Sequence, residues 1–167
     1  KVKAETWNSE YYSYNNYISD DPFNNDFYWK TDYRHYKELS KKYTKPEIVK
    51  ELMSLISEVN TSTGNKKAKA AYKVANCYRN MSYYGNAWMM RRYYWSVYPT
   101  KEGFEDDDEF YGCLEAQKYY HIAYENATSE QFKILALRME GTCKKYEMIS
   151  MMDSYYLDYD EELALER

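Results

Sequence analysis

Glycine and proline, the residues that most often interrupt regular structure, are scarce in this sequence of 167 residues. It contains only 5 glycines and 3 prolines. Few interruptions favour long helices that are joined by a small number of loops. Long apolar runs are also missing, since no segment approaches the roughly 18 consecutive apolar residues that a transmembrane helix needs. The sequence therefore predicts a helical chain without a membrane span, and its length suits a single domain.

Cysteine and histidine are few and widely spaced. The three cysteines, Cys77, Cys113 and Cys143, are odd in number and form neither a disulfide framework nor a zinc-binding pattern. Each falls on the apolar side of a predicted helix, so we expect three buried free thiols. The two histidines, His35 and His121, are far apart in the chain, and we expect each at the surface or at the boundary of the core.

Motifs that carry known chemistries are absent from the sequence. There is no G-x-S-x-G nucleophile elbow, no H-E-x-x-H metal pair, no glycine-rich phosphate loop and no C-x-x-C. Carboxylates are plentiful, but none forms the pair in apolar surroundings that a glycosidase would use. The acidic run at residues 105–109 lacks the spacing and central glycine of a calcium loop, so it predicts a solvated helix start. We therefore predict no enzyme, no cofactor and no metal site.

No excess of one charge marks the chain as a nucleic-acid binder. Its 23 basic and 27 acidic residues are well mixed and give a net charge of −4. Binding to a phosphate backbone would call for a basic stripe or patch. We therefore predict no nucleic-acid partner.

Helical patterns are clear from residue 44 onward. Thr44 and Glu47 form a capping box, with Pro46 in the first turn, where proline is tolerated. Apolar residues then recur every three to four positions, which predicts a helix to residue 60. Similar patterns predict helices at residues 66–82, 87–97, 108–126 and 129–149, and a more ragged one at 154–165. The predicted fold class is all-α.

The first 43 residues lack this periodicity but are rich in aromatic side chains, and the whole chain has 23 tyrosines. A disordered segment would be poor in such residues. We therefore predict an irregular aromatic-rich segment at 1–43, with turn chemistry around Asp21 and Pro22, packed on a helical-repeat body at 44–167. The two parts together would form one domain.

Part of the helical body resembles a tetratricopeptide repeat. The tripeptides Ala75-Asn76-Cys77 and Gly141-Thr142-Cys143 lie 66 residues apart, about twice the period of that repeat. Residues 71–99 resemble one unit, and residues 116–123 resemble the second helix of another. The matching positions are Val74, Ala75 and Tyr78 in the first helix, Ala87 at the start of the second, Pro99 at its close, and Ala116, Tyr120 and Ala123 in the further unit.

The resemblance implies antiparallel helical hairpins that stack side by side as an array. It covers about 100 residues from Lys66 onward, and its copies are divergent. Arg91 and Tyr94 stand where the motif has an aromatic and a small residue. These departures imply a rotated second helix or looser packing in the unit.

Residues 75–86, with the aromatic and arginine residues that follow them to Trp95, are also similar to a segment of large uncharacterised bacterial envelope-associated proteins. This resemblance implies a C-terminal fragment of a longer, extracytoplasmic chain with no assigned activity. The first residue, Lys1, is not a methionine, which fits a piece of a longer product.

The strongest candidate for a binding site is a run of aromatic and basic residues around one turn. Its members at helical spacing would line a groove able to grip a peptide or stack on a sugar ring. The alternative is that the same side chains fill the interface between helices, with arginine stacked on aromatic rings. The candidate groove residues are Tyr84, Trp88, Arg91, Arg92 and Trp95.

The function predicted from these features is a non-catalytic helical scaffold that binds a protein or peptide. Repeat arrays form curved surfaces that suit this use, although the step from fold to function is an analogy. A carbohydrate-contacting domain of the cell envelope is the alternative, because tyrosine and tryptophan are abundant.

Overall fold

The computed structural model describes residues 17–18, 21–24, 43–93, 95, 101 and 103–165. Of these, residues from 21 to 152 also have their side chains described. Within these ranges, helices dominate, which confirms the all-α prediction. No described helix is apolar over a length that could cross a membrane. The remaining residues, including most of the predicted segment at 1–43 together with His35, Tyr94 and Pro99, lie outside the described ranges.

Five α-helices and one short strand pair make up the described part of the chain. The strands β1 (Tyr17–Ile18) and β2 (Tyr43–Thr44) pair antiparallel, with Tyr17 opposite Thr44. A 3-10 helix at Trp88–Met90 lies between the second and third α-helices. The α-helices are α1 (Lys45–Thr61), α2 (Gly64–Asn80), α3 (Asp107–Gly112), α4 (Leu114–Asn126) and α5 (Glu130–Leu165).

Helix α1 begins at the capping box predicted from the sequence. The Glu47 backbone N–H donates to Thr44 Oγ1 at 3.4 Å, and the Thr44 backbone N–H donates to Glu47 Oε2 at 2.8 Å. Both backbone donors are thereby satisfied at the free end of the helix. Ile48 and Leu55 are buried on one face, so the prediction of this helix is confirmed.

Helix α2 lies at the centre of the described fold. It packs against α1 on one side and α4 on another, while α5 packs against α4 and α3. Small residues with no exposed surface line its contacts, among them Ala71 and Ala75, and on α4 Ala116 and Ala123. Because these side chains are short, the helices can approach each other closely, which leaves little room for solvent between them.

The three cysteines lie in this core, as the sequence predicted. Cys77 on α2, Cys113 between α3 and α4, and Cys143 on α5 are free thiols with no exposed surface. Cys77 belongs to an apolar cluster with residues of α1. Cys113 and Cys143 share a second cluster with Tyr120 and Met139.

The prediction of an α-helix at residues 87–97 is wrong. Of the described residues in this span, 87–93 and 95, Trp88–Met90 alone is helical, as one 3-10 turn that ends at Arg91. The reason lies in the next two side chains, because Arg91 and Arg92 both contact Asp106. Consecutive residues of an α-helix point in different directions, so an ion pair shared by two adjacent arginines favours a non-helical backbone at this place.

The prediction of one helix at residues 108–126 is also wrong, because the chain breaks at Cys113. This residue has the left-handed torsions φ 54° and ψ 41°, which separate α3 from α4. The Glu109 carboxylate stabilises the new start by accepting a hydrogen bond from the Glu115 backbone N–H at 2.8 Å. The side chain thus satisfies one of the free donors at the start of α4.

The last two predicted helices form one. Helix α5 runs without interruption from Glu130 to Leu165. Residues 150–153, which separated the two predicted helices, contain neither glycine nor proline. The chain therefore has no residue there that would end the helix.

Candidate functional site

The five residues predicted to line a partner groove do not share one environment. The Tyr84 ring stacks on the Tyr146 ring of α5, with centroids 3.6 Å apart and planes 6° apart. Trp88 is half-buried in the 3-10 turn. Trp95 is 45% exposed; it stacks on Tyr83 at 5.3 Å and donates from Nε1 to the Tyr83 carbonyl at 3.1 Å. Of Tyr84, Trp88 and Trp95, only Trp95 has a substantial part of its surface exposed to solvent.

Arg92 is bound into the interior of the described chain. Its Nη1 lies 2.7 Å from Asp106 Oδ1, and its Nη2 lies 2.7 Å from Asp107 Oδ1. The guanidinium carbon lies 4.3 Å from the Phe110 ring centroid and 4.7 Å from that of Phe104. Its charge is therefore neutralised by carboxylates and covered by aromatic rings.

Arg91 contacts the other carboxylate oxygen of Asp106. Its Nη1 lies 3.0 Å from Asp106 Oδ2, and its Nη2 lies 3.6 Å from Glu109 Oε1. Burial alone would raise the pKa of Asp106, but hydrogen bonds from Arg92 and Arg91 outweigh it and lower the pKa. Burial raises the pKa of Glu109, against the opposing effect of the Glu115 backbone hydrogen bond. The two arginines therefore hold the loop against α3.

The acidic run is only partly the solvated helix start that the sequence predicted. Asp108 is exposed and lies 2.9 Å from Lys101 Nζ. Asp107, however, is buried, and its Oδ2 accepts hydrogen bonds from the backbone N–H groups of Gly103 and Phe104 at 2.8 and 3.0 Å. A buried carboxylate needs such donors together with a cation, and Arg92 supplies the cation.

A buried hydrogen-bond network that the sequence analysis missed connects the N-terminal turn to α2 and α4. The Tyr120 hydroxyl donates to Asn76 Oδ1 at 2.7 Å, and Asn76 Nδ2 donates to the Phe23 carbonyl at 2.9 Å. One turn later, Asn80 Nδ2 donates to the Pro22 carbonyl at 2.9 Å. Burial raises the pKa of Tyr120 well above its ordinary value, so the hydroxyl stays protonated and acts as a donor. Two asparagines four residues apart on an apolar helix face were the signal for this network.

His121 lies between two carboxylates at the edge of α4 and α5. Its Nδ1 is 3.2 Å from Glu140 Oε2, and its Nε2 is 3.5 Å from Glu125 Oε1. The carboxylates contact different ring nitrogens, so they do not converge on one point as the ligands of a metal ion would. Across the residues whose side chains are described, no group of three potential ligands is placed to hold a metal ion. The partial exposure of His121 agrees with a boundary position.

Five large exposed apolar residues lie on α5. The inner side of this helix buries Ala136, Met139 and Cys143. Its other side, which we call the outward face, carries large apolar residues at helical spacing where polar residues would be expected. They are Ile134 (66% exposed), Leu137 (50%), Met148 (62%), Met151 (60%) and Met152 (50%).

From the sequence, α5 was expected to have one apolar stripe, the buried one, and the outward face was not predicted. The signal was available, because the helix contains more apolar residues than a single stripe requires. Comparisons with family models, with curated proteins and with solved structures found no match to this chain.

Proposed function

We propose that this chain is a non-catalytic helical scaffold that binds a protein or peptide through the outward face of α5. The observation that carries the proposal is the exposure of Ile134, Leu137, Met148, Met151 and Met152 along one side of a helix whose other side is buried. Large exposed apolar residues that share one face of a helix typically mark an interaction site, whereas apolar residues scattered singly over a surface need no explanation.

The shape and chemistry of the outward face support a helical or extended partner. From Ile134 to Met152 the face extends for about 27 Å along the helix, at 1.5 Å per residue. Three of its five large residues are methionines, whose flexible side chains adapt to different partner surfaces. An amphipathic segment laid along this face would bury the exposed side chains.

We include the tetratricopeptide-like arrangement in this proposal as its finer form. The contacts of α1 with α2, of α2 with α4 and of α4 with α5 fit helices that stack side by side. The 3-10 turn at Trp88–Met90 replaces the second α-helix of the unit proposed at residues 71–99, so that unit would be incomplete.

A carbohydrate-contacting surface is the second candidate, and Trp95 is the observation that favours it. One face of its indole stacks on Tyr83, and nearly half of the side chain is exposed. Tyr93, two residues earlier, is 90% exposed. Binding to a glycan array that is lost in Trp95→Ala and retained in Met148→Glu would favour this second candidate.

Site-specific photo-crosslinking tests the proposed protein-binding function. A benzophenone side chain at Met148 should form covalent adducts with a second polypeptide in native extract. The matched control is the same probe at Met53, which is 67% exposed on α1 but has no other large exposed apolar residue nearby in its helix. Equal adduct yields at the two positions would contradict the proposal.

A further inference from the structure

We propose that Cys113 and Cys143 form a redox-active pair of thiols, which hydrogen peroxide converts into a disulfide that joins the α3–α4 junction to α5. The two cysteines are 30 residues apart in sequence, yet their side chains share one buried cluster. Cys77, the third thiol, belongs to the other apolar cluster. The inference is independent of the proposed function, because protein binding does not use these thiols.

The thiols of Cys113 and Cys143 are hydrogen-bond partners inside the core. Both side chains have no exposed surface, and they pack in one apolar cluster with Tyr120 and Met139. The hydrogen bond joins the two sulfur atoms directly. No other side chain therefore separates the atoms that a disulfide would connect.

The backbone segments that carry the two thiols also approach each other closely. Gly112 immediately precedes Cys113. A Cβ atom at Gly112 would lie 3.8 Å from the Cα atom of Glu147, which follows Cys143 by one turn of α5. Gln117 connects the same two places, because its Nε2 donates to the Gly112 carbonyl at 3.1 Å and to Glu147 Oε2 at 3.0 Å. A disulfide bridges Cα atoms that are about 4.4–6.8 Å apart, so a junction packed directly on the helix backbone suits such a bridge.

Cys113 has the properties of the attacking thiolate. It lies at the N-terminal end of α4, where the helix dipole stabilises negative charge. The hydrogen bond from Cys143 lowers the pKa of the Cys113 thiol against the opposing effect of burial, and the Arg79 guanidinium acts in the same direction as the hydrogen bond. The same hydrogen bond raises the pKa of Cys143. Cys113 therefore supplies the nucleophile, and Cys143 supplies the second thiol.

The backbone of Cys113 is in a conformation that glycine would adopt without steric cost. Its torsions are φ 54° and ψ 41°, and among the described residues no other non-glycine residue has a positive φ. A side chain in this left-handed region costs stability. Glycine at this position would remove the strain, but it would also remove the contact between the two sulfur atoms. Residues held in such conformations cluster at functional sites.

The reaction balances with one molecule of hydrogen peroxide. The Cys113 thiolate attacks one peroxide oxygen, the O–O bond breaks, and the leaving hydroxide takes up the proton that the thiol had released. This step forms a sulfenic acid at Cys113 and one water molecule. The Cys143 sulfur then attacks the Cys113 sulfur, the S–O bond breaks, and the hydroxide leaves with the Cys143 proton as a second water. Two electrons pass from the sulfur atoms to the peroxide oxygens.

The size of the oxidant matters because neither thiol is exposed. Hydrogen peroxide is little larger than water, so brief local openings of the core are enough to admit it. A larger oxidant, such as a disulfide of low molecular weight, would need the core to unfold. The proposal is therefore specific for hydrogen peroxide.

Peptide mass spectrometry of the 167-residue chain tests the proposal. The reduced chain is treated with hydrogen peroxide under native conditions, and the remaining free thiols are then blocked with iodoacetamide in urea. Trypsin places the three cysteines in separate peptides, residues 74–79, 102–118 and 139–144. We expect peptides 102–118 and 139–144 to be joined by a disulfide. Cys77 should be recovered in its alkylated form, and it is the internal control because it is equally buried.

Two single substitutions assign the roles of the thiols. Cys143→Ala should abolish the crosslink and leave a sulfenic acid at Cys113, which the 1,3-diketone dimedone would label. Cys77→Ala is the matched control and should leave the yield of the crosslink unchanged. The proposal is overturned if Cys77 enters disulfides as often as the other two cysteines. It is also overturned if no crosslink joins Cys113 to Cys143 at a peroxide concentration that oxidises the thiols of the chain in urea.

Thermal unfolding tests whether the disulfide fits the fold. A bridge between thiols that are already in contact closes a loop of 30 residues without moving the backbone. Oxidation should therefore raise the Tm by about 5–10 °C. Dithiothreitol, which reduces disulfides but not methionine sulfoxide, should reverse the rise. A crosslinked chain whose Tm is unchanged or lower would show that the two thiols are not placed for a disulfide, and it would overturn the proposal without affecting the photo-crosslinking result at Met148.

Discussion

At the scale of single residues, the turn after α2 depends on the absence of one side chain. Gly85 lies so close to the end of α2 that a Cβ atom would be 2.2 Å from both the Cα and the carbonyl oxygen of Asn80. The same carbonyl accepts a hydrogen bond from the Ala87 backbone N–H at 2.8 Å. The chain can therefore reverse direction here only with glycine at position 85.

Two glycine substitutions should change stability in opposite directions. Gly85→Ala should lower the free energy of unfolding by about 1–3 kcal/mol or more, because backbone atoms must move apart to admit the methyl group. Gly141→Ala, in open space within α5, should raise it by about 0.5–1 kcal/mol through helix propensity. Urea unfolding of dilute protein measures both. A Gly85→Ala variant as stable as Gly141→Ala would show that the turn has room for a side chain.

The buried residues of α2 show how much of the structure of single residues can be predicted from the sequence. The apolar period at residues 66–82 predicted a helix there, and Ala71, Val74 and Ala75 are buried on it. The partners of Asn76 were not predictable, because the Phe23 carbonyl is 53 residues away in sequence. A helical period shows which side of a helix is buried, but it contains no information about which distant carbonyl that side will contact.

At the scale of elements, the chain between the 3-10 turn and α3 is held by ion pairs. Arg91 and Arg92 reach Asp106 from one end of the described loop, and Asp107 binds backbone N–H groups at the other. Paired and partly buried charges of this kind stabilise the folded chain when both partners are present, and removing one partner destabilises it. The contribution of this loop to the free energy of unfolding should therefore depend on pH.

The pH dependence should follow the lowered pKa of Asp106. A carboxyl group whose pKa is lower in the folded state contributes stability above its unfolded pKa, and this contribution is lost as the pH falls through the folded pKa. Asp106→Asn should therefore lower the free energy of unfolding at neutral pH by about 0.5–1 kcal/mol, since its side chain is partly exposed to solvent. The difference from the wild type should disappear in acid.

Asp108→Asn is the matched control for this measurement. Its carboxylate belongs to the same acidic run but is 81% exposed, with Lys101 as its partner, so its replacement should have little effect at any pH. Chemical denaturation from neutral to acidic pH compares the variants. An Asp106→Asn effect that persists unchanged in acid would show that packing, and not charge, makes the contribution.

Element boundaries were predictable where local chemistry sets them. The capping box at Thr44 and Glu47 fixes the start of α1 through contacts three residues apart. By contrast, the end of helical structure at Arg91 depends on Asp106, and the break at Cys113 leaves a non-glycine residue with positive φ. Arg91 and Arg92 contact a distant carboxylate and Cys113 lies in a buried cluster with Tyr120, Met139 and Cys143, so neither feature follows from local helix preference alone. The exposed apolar residues on the outward face of α5, the candidate site, also recur at helical spacing. Only the buried stripe of this helix was predicted from the sequence.

At the scale of the whole molecule, two apolar clusters share the same central helices. One joins α1, α2 and the turn at Phe23, and the other joins α2, α4 and α5. Tyr72, Tyr78 and Tyr119 pack against both clusters. A core that is continuous in this way should unfold as one cooperative unit.

The three cysteines can test this cooperativity because together they report on both apolar clusters. Cys77 lies in the first cluster, Cys113 and Cys143 lie in the second, and none has exposed surface. Burial raises the pKa of Cys77 to about 12, and the thiolate is the reactive form of cysteine. Because none of the three thiols has exposed surface, labelling by iodoacetamide should require unfolding of the folded chain.

We expect all three thiols to be labelled at one common rate, slower than in the unfolded chain by roughly a thousandfold or more. Peptide mass spectrometry of the wild-type chain gives the three rates without any substitution. Urea should accelerate all three in parallel, because the same global opening exposes each of them. If Cys143 were labelled much faster than Cys77, α5 would open without α1 and α2, and the two clusters would be separate units. Such a result would also place the outward face of α5 on a helix that moves independently of the rest of the core.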